Sequence, residues 1–450
     1  MSENYQQYFK TVEERYDIDP YPRRDPEKER EMIYVTATEY LGKINHYCYG
    51  GERDLRDNCR FLVAGGGTGD AAIYLAEQLR NTESEVVYID ISSASMKVAQ
   101  SRAEVRGLTN IKWLHGSLIE LPNMNLGEFD YINCSGVLHH LEDPLAALKA
   151  LDKMLKSDGC MGLLLYAKYG RASLYNLQSL MQVINSGVSE TQDKIDRAKI
   201  MLKSLETVPS QWLLRDKDRW SMELNAMGVQ ENSDTGFYHL FLHEDHSFTL
   251  PQLYQLIGDA GLCLAKLTGF PGHTRKYEPT FSVNNTEFNE MIDTLTERDR
   301  KAAGELINGS ILSHTLYVSK QDGVAADLNN MDNIPYIQYK FAAPEQMFAA
   351  LQGNPGKSMN VKMGSDEGDM LIVKQGRYTK YLVKHLDGSK SLGEILDCVK
   401  NDVAATGDEV DHAVLMDEYA MLCRDFDEWD MILCRNKNVP HYSRSDELGG

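Results

Sequence analysis

Short apolar runs alternate with helix-spaced segments through the first half of the chain. RFLVA (Arg60–Ala64), EVVYID (Glu85–Asp90), IKWLH (Ile111–His115), 129–134 and 159–166 read as strands. Between them, 70–80 places Ile73, Leu75, Ala76 and Leu79 at helical spacing, and Ser93–Arg106 and 144–156 continue the pattern. Asp143 stands where an N-cap belongs, and Pro144 fits the first turn. Near-continuous apolar strands that alternate with amphipathic helices predict a parallel sheet covered on both faces. With right-handed crossovers this gives an α/β, doubly wound sheet.

The pattern changes after Gly170. Residues 171–248 read as a helical insertion able to close over a site. A helix over 248–262 follows, with Pro251 in its first turn and Gly261 at its end, then strands at 262–270 and 314–320 around helical residues 288–308. Polar residues 321–333 read as a linker. Beyond them, 334–436 suggests a small α+β, winged-helix-like domain: helices at 378–399 broken by Asp387–Gly388, a helix at 409–426 and a strand at 430–434. The expected division is an N-terminal helical or lid segment 1–50, a main domain 51–320, the linker, the domain 334–436 and a tail 437–450.

Composition narrows the function classes. With 450 residues, 42% of them hydrophobic, the chain can bury two or three cores. Its 67 acidic against 47 basic residues leave −20, which disfavours a nucleic-acid backbone as partner. No apolar run is long enough to span a bilayer, and MSENYQQYFK lacks a signal-peptide core, so the expected location is cytoplasmic and no membrane partner is expected. The eight cysteines form no C-x-x-C pair and read as buried thiols of a reducing compartment; no metal is expected.

The chemistry concentrates in FLVAGGGTGD. Gly65, Gly67 and Gly69 follow the first strand and open the first helix, where a tight turn must let a ligand reach the backbone. Asp90 ends the second strand, about 20 residues on. Its carboxylate can accept both hydroxyl hydrogens of a ribose, or it can simply cap the next helix. A dinucleotide fingerprint needs a glycine where Asp70 stands, and an acid at a helix N-terminus repels a pyrophosphate but tolerates a zwitterionic amino acid and a sulfonium.

With these residues on the page, the chain resembles class I (Rossmann-like) S-adenosylmethionine-dependent methyltransferases, closely over about 60–170 and loosely over about 16–320. The matching segments are FLVAGGGTGD, VVYIDIS, WLHGSLIELP, FDYINCSGVLHHLEDP and LKALDKMLKSDGCMGLLLY. YDIDPYPRRDP and FLHEDHSFTLPQLYQLIGDAGL resemble a bacterial subgroup often attached to tetratricopeptide repeats, which this chain lacks. The resemblance implies S-adenosyl-L-methionine as cofactor, held by Gly65, Gly66, Gly67, Gly69, Asp90, Ile91, Gly116, Ser117, Leu118, Cys134, Ser135 and Gly136. The chain departs from the pattern twice. Val63 stands where many members carry an acid that helps hold the glycine turn or the methionine amino group, so that contact must come from elsewhere. Ser117 stands where an Asp usually meets the adenine amine.

The acceptor side is less marked. Candidate bases are His139, His140 and His243; candidate acceptor contacts are Tyr21, Tyr166, Tyr169, Arg171 and Tyr238. His239 and His243 have i,i+4 spacing, but no H-E-x-x-H accompanies them. The aromatic N-terminus (Tyr5, Tyr8, Phe9, Tyr16, Tyr21) reads either as a lid or as simple packing. Methyl transfer needs mainly proximity and alignment, so the motifs identify the donor and leave the acceptor open. The expected activity is methylation of a small molecule enclosed by the insertion. The alternatives are a peptide or protein acceptor recruited by the C-terminal domain, and a non-catalytic binding protein.

Overall fold

In the computed structural model, the structure describes residues 16–205, 229, 232–242, 245–338, 344–352, 358–362 and 370–443. Seven strands form the central sheet: β1 (Arg60–Ala64), β2 (Glu85–Asp90), β3 (Ile111–His115), β4 (Phe129–Ser135), β5 (Leu155–Tyr166), β6 (Cys263–Thr268) and β7 (Ser313–Ser319). Their order is β3-β2-β1-β4-β5-β7-β6. Strands β1 to β5 pair in parallel, whereas β7 runs antiparallel to both neighbours. The first five strands run parallel as expected, and the two later strands, whose direction apolar patterning does not fix, complete the sheet with an antiparallel edge.

Alternation along the strands builds two cores. Leu62, Ala64, Val87 and Ile89 face one layer, while Phe61, Val63, Val86 and Tyr88 face the other. Helices α1 (Leu41–Cys48), α2 (Asp70–Gln78), α3 (Ser93–Arg106) and α4 (Pro144–Asp152) belong to this unit. Asp143 caps α4 through Ala146 N at 2.9 Å. The helix stops at Asp152, short of the expected residue 156, because β5 begins at Leu155. Asp158–Gly159 is an irregularity inside β5 rather than its entrance: Phe129 pairs with Leu155, but Tyr131 pairs with Cys160.

The insertion is helical where described, as α5 (Ala172–Ile184), α6 (Thr191–Leu205) and α7 (Asp234–Phe241), packed around Leu177, Ala198 and Phe241. Helix α8 (Leu250–Asp259) starts on a capping box of Thr249 and Gln252. Helices α9 (Pro279–Ser282), α10 (Thr286–Ile292) and α11 (Glu297–Asn308) then lead into β7.

The C-terminal α+β region contains β8 (Asn333–Ile337), α12 (Pro344–Gln352), β9 (Met359–Lys362), β10 (Met370–Val373), α13 (Thr379–Lys384), α14 (Leu392–Ala404), α15 (His412–Asp427) and β11 (Ile432–Asn436). β8 pairs with β11 and β9 with β10, both antiparallel. The segment before β8 has no helix or strand, yet it is pinned to the main domain by Gly50 N to Val324 O (2.8 Å) and Ala326 N to His46 O (2.7 Å). A buried ion pair adds to the docking: Lys43 Nζ lies 2.5 Å from Asp430, and Tyr47 and Thr268 also donate to that carboxylate. Burial alone would push Asp430 up; Lys43, Lys266 and Thr268 outweigh it and hold it below the usual carboxylate range. All eight cysteines are free thiols, six of them buried. No helix among the described residues is long and apolar enough to cross a membrane.

Candidate cofactor and acceptor site

The carboxyl ends of β1, β2 and β4 open on a cavity of about 270 Å³. One wall is backbone. The chain leaves β1 at Gly65, whose N–H donates to Ile89 O (2.8 Å), and turns through Gly67 at φ +52°. A Cβ on Gly67 would lie 2.5 Å from Tyr21 O, so only glycine fits under the opposite wall.

Asp90 ties this wall together. Its Oδ2 accepts from Gly67 N (2.7 Å) and its Oδ1 from Ser92 N (2.8 Å). Ser92, and not Asp90, is the N-cap of α3, accepting from Ser95 N at 3.0 Å. Burial pushes the Asp90 carboxyl up, against those two N–H donors. Each oxygen retains a lone pair toward the cavity, enough for a vicinal diol.

The opposite wall is a strap, residues 16–34, laid across α2 and α3. Thr68 donates its N–H to Tyr21 O (3.2 Å) and its hydroxyl to Pro22 O (2.6 Å). Asp17 accepts from Ser92 Oγ (2.8 Å) and Ala94 N (2.9 Å) at the start of α3. Arg24 and Arg102 both hold Asp70, at 2.6 and 2.7 Å. Glu29 joins Arg102 and Arg106, each at 2.5 Å, in a buried cluster. Asp70 therefore carries its own counter-charges. Just before the start of α2, the strap's carbonyls occupy both donors of Thr68.

Most expected cofactor residues line the cavity: Gly65, Gly66, Gly67, Asp90, Ile91, Gly116, Ser117, Leu118, Ser135 and Gly136. Ser117 Oγ accepts from Ile119 N (3.3 Å) as the cap of a short 3-10 turn. Two of the expected residues are outside the lining. Cys134 is fully buried in the core, because alternation along β4 turns Asn133 and Ser135 to the cavity instead. Gly69 is left-handed at the N-cap of α2 and packs on Ala99, behind the wall.

On the acceptor side His140 lines the cavity, whereas His139 is fully buried and stacks on Tyr166 at 3.6 Å between ring centroids. His243 lies outside the described residues. Of the expected acceptor contacts, Tyr21 alone lines the cavity. Tyr166 supports His139 and Arg171 (3.7 Å above its ring), Tyr169 is on the surface, and Tyr238 packs beside the insertion's own core. Sequence reasoning missed Pro22, Thr36, Asn133, Val137 and Leu141. Strand alternation in FDYINCS would have found Asn133; the others need the tertiary path of the strap and loops. No group of three metal-ligating side chains is present among the described residues.

Residues 62–161 match the family described as Methyltransferase domain. Residues 62–161 thus form a methyltransferase domain. The chain is an S-adenosylmethionine-dependent methyltransferase. Over 93 residues the chain is 36% identical to demethylmenaquinone methyltransferase of Geobacillus kaustophilus, covering 21% of this chain but only 39% of that protein. It is 25% identical over 368 residues to the uncharacterized protein syc1184_c of Synechococcus, covering 79% and 81% of the two chains. Among solved structures, PKMT2 from Rickettsia typhi in complex with AdoHcy shares the fold with a TM-score of 0.58 at 15% identity, over 89% of this chain and 75% of that one.

Proposed function

We propose that this methyltransferase acts on a peptide or protein that reaches the cavity by one side chain. The supporting observation is the cavity itself. It is partly open to the surface, and among the described residues it is lined by the strap and the strand-end loops, so an acceptor can present a single side chain to it. The insertion was the reason to expect an enclosed small molecule, yet among the described residues none of it lines the cavity. The insertion touches the strap, the Tyr16 and His239 rings lying 5.4 Å apart and Arg23 donating to Ser233 Oγ at 2.9 Å, and it also joins the strand-end turn, where His246 N donates to His139 O at 2.7 Å.

The relatives named for quinone substrates match only a short stretch, while the fold likeness to PKMT2 extends over most of the chain. We also propose kinship with the repeat-associated subgroup; of its two distinguishing segments, 16–26 contributes Tyr16, Tyr21 and Pro22 to the cavity. A cytoplasmic location belongs to the same proposal.

S-adenosylmethionine supplies the electrophilic methyl when bound. In this reading Asp90, held by Gly67 N–H, orients the nucleoside, Tyr16 and Tyr21 exclude water, and His140 takes the proton that the accepting atom gives up. The test is labelled-methyl incorporation with cell extract, separated into macromolecular and small-molecule fractions. Label in protein is expected, and label confined to small molecules overturns the reading in favour of the enclosed acceptor. His140→Gln is expected to lower kcat about 100-fold with cofactor affinity unchanged; an unchanged kcat removes His140 as the base.

A further inference from the structure

A carboxylate without a cation lies directly behind the cavity wall. Glu39 has 0% exposure, and among the described residues no Lys or Arg pairs with it. Its oxygens accept from Thr38 N (3.2 Å), from the Thr38 hydroxyl and from Asn133 Nδ2. Burial pushes its pKa up, against these donors. A buried carboxylate held only by neutral donors is costly, and a cation brought close to it relieves that cost.

Two side chains that line the cavity lie against this carboxylate, Thr36 and Asn133. Asn133 lines the cavity and spends both amide hydrogens on its neighbours, one on Glu39 and one on Ser135 Oγ at 2.8 Å. Its Oδ1 is left to serve a ligand donor. Asn133 is also the register partner of Val63 across β1 and β4. The carboxylate thus stands beside the position where Val63 replaces an acid, brought there by the N-terminal segment.

We propose that Asn133 Oδ1 receives the α-ammonium of the cofactor's amino-acid end, and that Glu39 is the positioning residue supplying the negative charge behind it. The cation missing from the buried carboxylate is then the ligand's own. Polarisation through the amide strengthens the contact, because a hydrogen bond with a charged partner is stronger than a neutral one. The proposal rests on the cofactor and is independent of the acceptor's identity.

The test compares two ligands by calorimetry: S-adenosylhomocysteine, which has the α-ammonium, and 5′-methylthioadenosine, which lacks the amino-acid end. Glu39→Gln is expected to weaken the first about tenfold and to leave the second within about twofold. Asn133→Ser should behave alike, and it decides the matter if Glu39→Gln does not fold. Equal weakening of both ligands, or no weakening of S-adenosylhomocysteine, overturns the proposal. Failure of the unsubstituted enzyme to bind either ligand would instead overturn the cofactor reading on which it depends.

Discussion

On one side of the cavity, Gly65 to Gly67, Asp90 and Gly116 come from loops at neighbouring strand ends, joined by backbone hydrogen bonds such as Gly116 N to Asp90 O at 2.9 Å. On the other side, Tyr16, Tyr21 and Pro22 belong to a strap with no strand of its own, fastened by side chains from α2 and α3. The first wall is fixed by the sheet that any chain of this fold must build. The second is held by ion pairs around Arg24, Glu29, Arg102 and Arg106 and by a few hydrogen bonds such as Thr68 N to Tyr21 O. The difference predicts that the glycine wall persists when the strap is released, so that binding and enclosure separate.

The strongest way to break that division is Glu29→Ala. Removing the carboxylate leaves Arg102 and Arg106 without their shared partner in a buried cluster, at a cost of about 3 kcal/mol. The expected result is rapid proteolytic cleavage within 16–34 while the sheet still unfolds cooperatively. If cleavage is no faster than in the unsubstituted enzyme, the strap is not an independent unit. Asp90→Ala should do the reverse, with the strap intact and S-adenosylhomocysteine bound about 100-fold more weakly by calorimetry. Unchanged affinity would show that the carboxylate does not hold the nucleoside.

Acid sharpens the comparison with a smaller effect. Burial raises Asp90, so it gains its proton first as pH falls, and cofactor affinity falls with it. The strap's Asp17 goes the other way. Burial there would raise it, but Ala94 N and the Ser92 and Ser93 hydroxyls outweigh burial and lower it. Its contribution to stability is present above its unfolded value of about 3.9 and is lost only as pH falls through the lower folded value. Affinity is therefore expected to decline several-fold before amide exchange in the strap accelerates. Simultaneous onset would mean that one titration controls both walls.

The sheet and the glycine wall were legible because their signals are local. Apolar strands carry their own alternation, FLVAGGGTGD sits between strand and helix, and Asp90 follows at a set distance. The direction of β7 was not legible, since burial on both faces looks the same whichever way a strand runs. Adjacent histidines gave no sign of which one faces the cavity; the short turn at Leu138–His140 settles it by burying His139 against Tyr166. Tyr166, Tyr169 and Arg171 were assigned to the acceptor from their place after a strand end, yet their side chains pack beneath or outside the wall.

By itself the sequence determined the layered α/β architecture, the glycine-rich loops at the strand ends and the thiols' unpaired state, because each follows from spacing within a few dozen residues. Only the tertiary structure decided that a segment before the sheet would become the second wall, that Glu39 would stand behind Asn133 across 94 positions, and that the C-terminal region would be locked on through Lys43 and Asp430. Contacts of that range depend on which charges burial brings together, and no local pattern encodes the partner of a buried charge.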